Sequence, residues 1–350
     1  MGAPLGWLAD RVGPRRLILW GAGVLALGLL LTSAVSRWWH LYLAFGVVSA
    51  LGVSAAGWVP SALLIQRWFP NRVGTSMGVA SAGIGMGIFG MGPLSQFFIE
   101  WVGWRWTLRG LGALALLLLV PSALWLLREP GTRRELAGGR PVEPHQTGRP
   151  REWTLADALR SPRFWGLGVT FFFGSFTSQL LLVHQVAYFV DHGLTPLVAA
   201  SVVGVVGLTS IAGKVGWGWL SDLIGRELTF TLGFSCVVLS VGVLGLFAGH
   251  PDPSLPFLYG VLIGVGYAVT APLSPAVSSD LFRGRHFGAI FGTLNLSNSF
   301  GGAVGAWAGG LIFDLTGSYA WALVIALIAA VGAPLVLWLV APRRPHPAPG

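Results

Sequence analysis

The sequence predicts an all-α protein built from membrane-spanning helices. Three observations carry that reading. The 350 residues are 54% hydrophobic and only 10% charged, whereas a soluble domain averages about 25% charged. The apolar residues fall into ten runs, each with the roughly 20 residues a helix needs to cross a bilayer. Basic residues are confined to alternate connections between those runs. Lipid is therefore the expected solvent for most of the chain.

The runs cover about 17–35, 41–65, 74–98, 107–127, 163–190, 196–217, 228–248, 256–278, 287–313 and 319–341. The first follows Arg15 and Arg16 and has the flanks of a signal peptide, but nine further runs make it a span. Pro60, Pro93, Pro121, Pro272, Pro275 and Pro334 lie in or near the runs, and each frees a carbonyl and can bend a helix. Pro272 and Pro275 single out 256–278 as the helix expected to bend. Glycines spaced by four, at Gly74 and Gly78 with Ala82, Gly83 and Gly87, Gly288 and Gly292, and Gly301, Gly305 and Gly309, let helix backbones touch. Packing and a sliding interface would use the same surface. Between the fourth and fifth runs, 128–162 is rich in Arg, Glu, Pro and Gly and reads as a linker. Near its end Thr154 and Asp157 have capping-box spacing, and Trp153, Ala156 and Leu159 share a face of a short interfacial helix.

The chain carries a net charge of +9. If the loop at 6–16 is cytoplasmic and sides alternate, nineteen of the 22 Lys and Arg residues fall inside; Arg37, Arg105 and Arg109 fall outside. That bias puts both termini in the cytoplasm and explains the charge without nucleic acid. Arginine outnumbers lysine 21 to 1, a hint of a GC-rich bacterial genome. Cys236 is the single cysteine, so no intrachain disulfide forms. No hydrolase, phosphate-loop or metal-ligand pattern occurs, and no cofactor is expected; the glycine-rich 83–92 stretch lacks a Gly-Lys-Ser/Thr ending.

The chain repeats itself. Gly6-Trp7-Leu8-Ala9-Asp10-Arg11 returns as Gly218-Trp219-Leu220-Ser221-Asp222-Leu223, 212 residues later. Arg67–Gly74 parallels Leu281–Gly288, and Trp101–Trp104 parallels Leu315–Ser318, at offsets of 213 to 214. Two charged glycine loops, each beside apolar runs and one six-helix half apart, resemble the signature loops of the major facilitator superfamily. The fold implied is a major-facilitator-type pair of helix bundles: 1–127 with four helices, the 128–162 linker, 163–341 with six helices, and a tail at 342–350. The second half has about 55 residues before its loop and the first only five, so two N-terminal helices are expected to be missing, through a late start or a true truncation. Gln66-Arg67-Trp68-Phe69, Gly103-Trp104-Arg105 and the stretch from His184 to Gly193 resemble the monocarboxylate-carrier and oxalate/formate-antiporter branch.

The resemblance implies that Asp10 and Asp222 each cap a helix start in the opposite half, near Gly288 and Gly74, and gate the cytoplasmic side. Arg11, Arg15 and Arg16 would add charge pairing to the first gate, and Arg226 belongs to the second. Because Leu223 and Glu227 replace Arg11 and Arg15, the second gate is expected to be the weaker. The plain alternative is a solvated loop acid beside topology-fixing arginines.

For a substrate site, Thr177, His184 and Tyr188 share a helical face. His184 could bind an anion, relay a proton or tie two helices. Asn295 and Asn298 are one turn apart and fit either a site or interhelix bonds. By the resemblance, Tyr267 and Thr270, with Trp58 and Ser61, lie in the cavity-lining helices. All 13 acids fall in loops or at helix ends, and Lys214 is read as lying at an inner end, so no charge is expected in mid-span. The implied function is alternating-access movement of a small organic solute, a mono- or dicarboxylate, driven by protons or exchange, by a monomer in the inner membrane. A drug exporter of the same fold and an inert fragment are the rivals.

Overall fold

The computed structural model describes residues 2–70, 72–127, 153–250, 252–282, 284 and 286–341. Most of the linker (128–152), the tail, and several topology-setting arginines, Arg283 and Arg285 among them, lie outside the described residues. All regular structure among the described residues is helical.

In chain order the helices are α1 (Gly2–Val12), α2 (Pro14–Ser33), α3 (Trp38–Leu41) running through a π-helical stretch (Tyr42–Ser49) into α4 (Ala50–Ala56), α5 (Trp58–Trp68), α6 (Val73–Val102) and α7 (Trp104–Pro121), whose end is a π-helical turn (Ser122–Leu126). After the linker come α8 (Leu155–Leu159), α9 (Pro162–Asp191), α10 (Pro196–Ile224), α11 (Arg226–Gly249), α12 (Leu255–Tyr267), α13 (Thr270–Leu281), α14 (Phe287–Thr316) and α15 (Ala320–Val340). Eight segments are long and apolar enough to cross a membrane: 14–33, 38–68, 104–125, 162–191, 196–224, 226–249, 255–281 and 320–340. The two other predicted spans, α6 and α14, have 30 residues each, about 45 Å of helix. Their many glycines, and Asn295 and Asn298 in α14, dilute their hydropathy.

Two helices break at matching places. Pro60 has no N–H for the carbonyl of Ala56, and the helix interrupts at Gly57. Pro272 stands in the same relation to Ala268, and the helix interrupts between Tyr267 and Thr270. The second break is where the sequence puts it; the first is its repeat 212 residues earlier. Pro334 leaves α15 continuous.

The chain forms two compact units. One comprises Met1–Pro70, Gly92–Leu155 and Phe282–Thr293; the other comprises Asn71–Met91, Ala156–Leu281 and Leu294–Gly350. In the first, α2 packs on α7 and on the helix through Ala50–Ala56. In the second, α9 packs on α15, and α12 lies between α10 and α11. Phe189, Phe247 and Tyr259 stack edge to face in that core. Its outward residues include Leu239, Leu246, Ile328 and Leu339, each more than half exposed. Such a surface needs lipid around it.

Glycine packing divides along the chain. A Cβ on Gly301 or Gly305 would strike the carbonyls of Phe172 and Phe176, so α9 and α14 touch backbone to backbone. Gly83 and Gly87 meet nothing within 4 Å, so the close contact expected there is absent among the described residues.

Candidate functional site

Both signature loops place an aspartate on the first turn of a long helix. Gly13 (φ +91°) turns the chain from α1 into α2, and Gly225 (φ +96°) turns it from α10 into α11. That backbone region suits glycine alone without strain. Each turn leaves the preceding aspartate at a helix end facing outward.

Asp10 accepts hydrogen bonds from the N–H groups of Gly288 (3.0 Å) and Ala289 (2.8 Å). These are among the unsatisfied donors that open α14, and the positive helix end favours a carboxylate there. A Cβ on Gly288 would lie 2.6 Å from both Asp10 Oδ1 and the carbonyl of Gly6. Burial pushes the Asp10 carboxyl above the usual carboxylate range; the two N–H groups, Arg67 and His286 pull it back in part. The expected arginine pairing does not occur. The Arg11 guanidinium lies 3.9 Å above the Trp7 ring. Arg15 donates to the carbonyls of Ala123 (2.8 Å) and Leu124 (2.7 Å), which the π-helical end of α7 leaves unsatisfied. A cation at a helix C-terminus is well placed there.

Asp222 accepts from the N–H groups of Gly74 (3.2 Å) and Thr75 (2.7 Å) and from the Thr75 hydroxyl (2.6 Å). Arg226 pairs with it at 2.6 Å, and its Nε reaches Asp280 at 3.1 Å. The Arg226 Nη1 also donates to Ser221 (2.6 Å). The second clasp thus has more partners than the first, which reverses the expectation built on Leu223 and Glu227. Arg226, one residue before Glu227, supplies the charge.

Lys214 is the residue the sequence misplaces. The apolar run ends at 217, but α10 continues to Ile224. Lys214 therefore lies ten residues, about 15 Å, inside the helix. It is 3% exposed. Its Nζ sits 3.5 Å from Ser210 Oγ and 5.5 Å from the Tyr267 ring centroid. No carboxylate pairs with it among the described residues. The signal available in the sequence was Gly225, which marks the helix end better than hydropathy does.

Tyr267 and Thr270 flank the break in the 255–281 segment, and the Thr270 hydroxyl donates to the Tyr267 carbonyl (2.8 Å). Trp58 and Ser61 flank the break at Gly57, whose carbonyl accepts from the Ser61 hydroxyl (2.8 Å). Asn295 and Asn298 are half-buried on α14. Thr177, His184 and Tyr188 share a helical face, but that face is spent on three neighbours. Thr177 donates to Ala326 of α15 (3.3 Å), His184 Nε2 to Ala306 of α14 (2.8 Å), and Tyr188 to Leu244 of α11 (2.8 Å). Because a carbonyl only accepts, His184 Nε2 carries a hydrogen.

Comparison with known proteins places this arrangement. A family model described as Major Facilitator Superfamily matches residues 1–248 and 185–350. Monocarboxylate transporter 13 of Rattus norvegicus is 28% identical over 341 residues, covering 96% of this chain and 76% of the relative. The oxalate:formate antiporter of Oxalobacter formigenes is 25% identical over 354 residues, covering 94% and 79%. Among solved structures, the proton:xylose symporter superposes with TM-score 0.75 at 17% identity over 97% of this chain and 83% of that one. The E. coli fucose:proton symporter does so with TM-score 0.70 at 12% identity over 97% and 87%. At those identities the two structures share the fold.

Proposed function

The chain belongs to the major facilitator superfamily of membrane transporters, and from that premise we propose that it carries a small organic anion, a mono- or dicarboxylate, by alternating access. Lys214 is the observation that carries this reading. An ammonium buried in a helix without a carboxylate partner is costly, and such groups in membrane spans mark substrate paths. A substrate carboxylate would supply the missing counter-charge. Ser210 and the Tyr267 face beside Lys214 offer a hydrogen bond and a ring edge for a small acid. The relatives named for monocarboxylates and for oxalate and formate support the same class.

In this reading helices 1–127 and 163–341 rock as two bundles around the site, joined by the 128–162 linker. Asp10 with Gly288, and Asp222 with Gly74 and Arg226, are the gates that hold one side shut. Arg11 and Arg15 support the first gate indirectly, by fixing Trp7 and the end of α7. Trp58, Ser61, Tyr267 and Thr270 flex the two broken helices, and Asn295 and Asn298 add hydrogen bonds to substrate. The protein works as a monomer in the inner membrane, with both termini cytoplasmic, driven by the proton gradient or by exchange.

Uptake of labelled lactate, formate and oxalate into proteoliposomes tests the proposal. Lys214→Met should lower uptake at limiting substrate by about 10- to 100-fold, the weight of one charge-assisted hydrogen bond. Lys214→Arg should keep part of it. Full uptake by Lys214→Met would discard the proposal. Acid outside or substrate preloaded inside separates proton coupling from exchange.

A further inference from the structure

A second recess lies away from Lys214, where α9, α11 and α15 meet. It has about 240 Å³ of empty space and is open to its surroundings. Leu180, Leu181, Leu244 and Leu323 make its walls aliphatic. Gln185 lines it and is 3% exposed, yet its Oε1 has no hydrogen-bond partner. The orientation of that amide is fixed, because Nε2 must face the carbonyl of Leu182, to which it donates at 2.9 Å. A buried acceptor left unpaired costs free energy that a donor would recover. The neighbouring polar groups are already engaged: Tyr188 donates to the Leu244 carbonyl, and Tyr319 faces His184 Nδ1.

We propose that this recess binds an aliphatic alcohol, its hydroxyl donating to Gln185 Oε1 and its chain lying against the leucines. One acceptor in an aliphatic wall matches one O–H on an apolar body. An anion is excluded, since a carboxylate cannot donate to Oε1 and no cation lines the recess. Water is a poorer match, because an ordered water needs two to four polar partners. The volume equals about eight water molecules at roughly 30 Å³ each, enough for a short chain. Gln185 lies six residues, about 9 Å, from the end of α9 at Asp191. At that depth either a free alcohol or the hydroxyl of a lipid headgroup can enter.

The test uses the purified full chain and two photoreactive probes, a diazirine-bearing hexanol and its methyl ether, which accepts but cannot donate. Labelled peptides are mapped by mass spectrometry. The alcohol should label 180–188, 244 or 319–323 about fivefold more than the ether, the ratio one neutral hydrogen bond gives. Gln185→Met, close in shape, should equalise the two probes without moving the thermal unfolding midpoint by more than a few degrees. Leu181→Phe, which narrows the recess, should reduce both. In vesicles, loss of labelling when phosphatidylglycerol is added to phosphatidylcholine assigns a lipid headgroup. Undiminished labelling assigns a free alcohol. Equal labelling by alcohol and ether in the wild type, or an alcohol preference that survives in Gln185→Met, overturns the proposal.

Discussion

The two clasps use one geometry with different reinforcement. Asp10 relies on two backbone N–H groups of α14 and works against its own burial. Asp222 has two N–H groups of α6, a hydroxyl and a guanidinium that is itself anchored on Asp280. The repeat therefore conserves the position of the acid and not its electrostatic support. The difference teaches that the clasps should open with unequal ease, the first more readily and with a dependence on pH.

The largest expected effect is at Asp222. Asp222→Ala leaves Arg226 without one of its two acids and three donors without an acceptor, costing about 3 kcal/mol. Hydrogen exchange at the Gly74 and Thr75 amides should quicken by about 100-fold. An unchanged rate would mean that Arg226 and Asp280 hold the turn alone. Next comes Gly288→Ala, whose Cβ meets the Gly6 carbonyl and Asp10 at 2.6 Å. Overpacking of this kind costs about 2 kcal/mol, seen as a lower thermal unfolding midpoint. Asp10→Asn keeps one acceptor and sheds a charge that burial opposes, so the loss is smaller, about 1 kcal/mol.

The sign of the pH effect follows from the raised carboxyl of Asp10. The clasped state binds its proton more tightly than a solvated aspartate, which titrates near 3.9. Its contribution is thus fully present below that ordinary value and is lost as pH rises through the raised one. Exchange at Gly288, corrected for intrinsic rates, should speed up across that window in the wild type and stay flat in Asp10→Asn. A flat wild-type profile would show that the clasp is insensitive to its own burial. The smallest effect is at Gly83, where nothing lies within 4 Å. Gly83→Ala should stabilise α6 by about 0.5–1 kcal/mol, whereas Gly78→Ala should destabilise it, its Cβ falling 2.5 Å from the Lys214 carbonyl.

Much of this was legible in the sequence, because a repeat of 212 to 214 residues fixes equivalent positions without any tertiary knowledge. That is how Asp10 points to Gly288 and Asp222 to Gly74. The break near Pro272 was legible because proline acts on its own carbonyl four residues back. Partner choice was not. Arg11 and Arg15 sit beside Asp10 in sequence, but a nearby ring and two free carbonyls at the end of α7 claim them. Lys214 was misplaced because a lysine terminates an apolar run by hydropathy, even where Ser210 and an aromatic face let the helix carry it inward. His184, Thr177 and Tyr188 were read correctly as one face, but which neighbours that face meets is a property of the packed bundle.

Lys214 is the single lysine of the chain, so labelling with ¹⁵N-lysine gives one side-chain ammonium signal. Solid-state NMR of the reconstituted protein with ¹³C-carboxyl formate, lactate or oxalate tests the assignment of Lys214 as the substrate's counter-charge. The account predicts a shift of that signal on saturation with a transported acid, and ¹³C–¹⁵N dephasing at a separation of about 3–4 Å, that of a charge-assisted contact. An unmoved signal with no dephasing, in vesicles that still transport the acid, would contradict it.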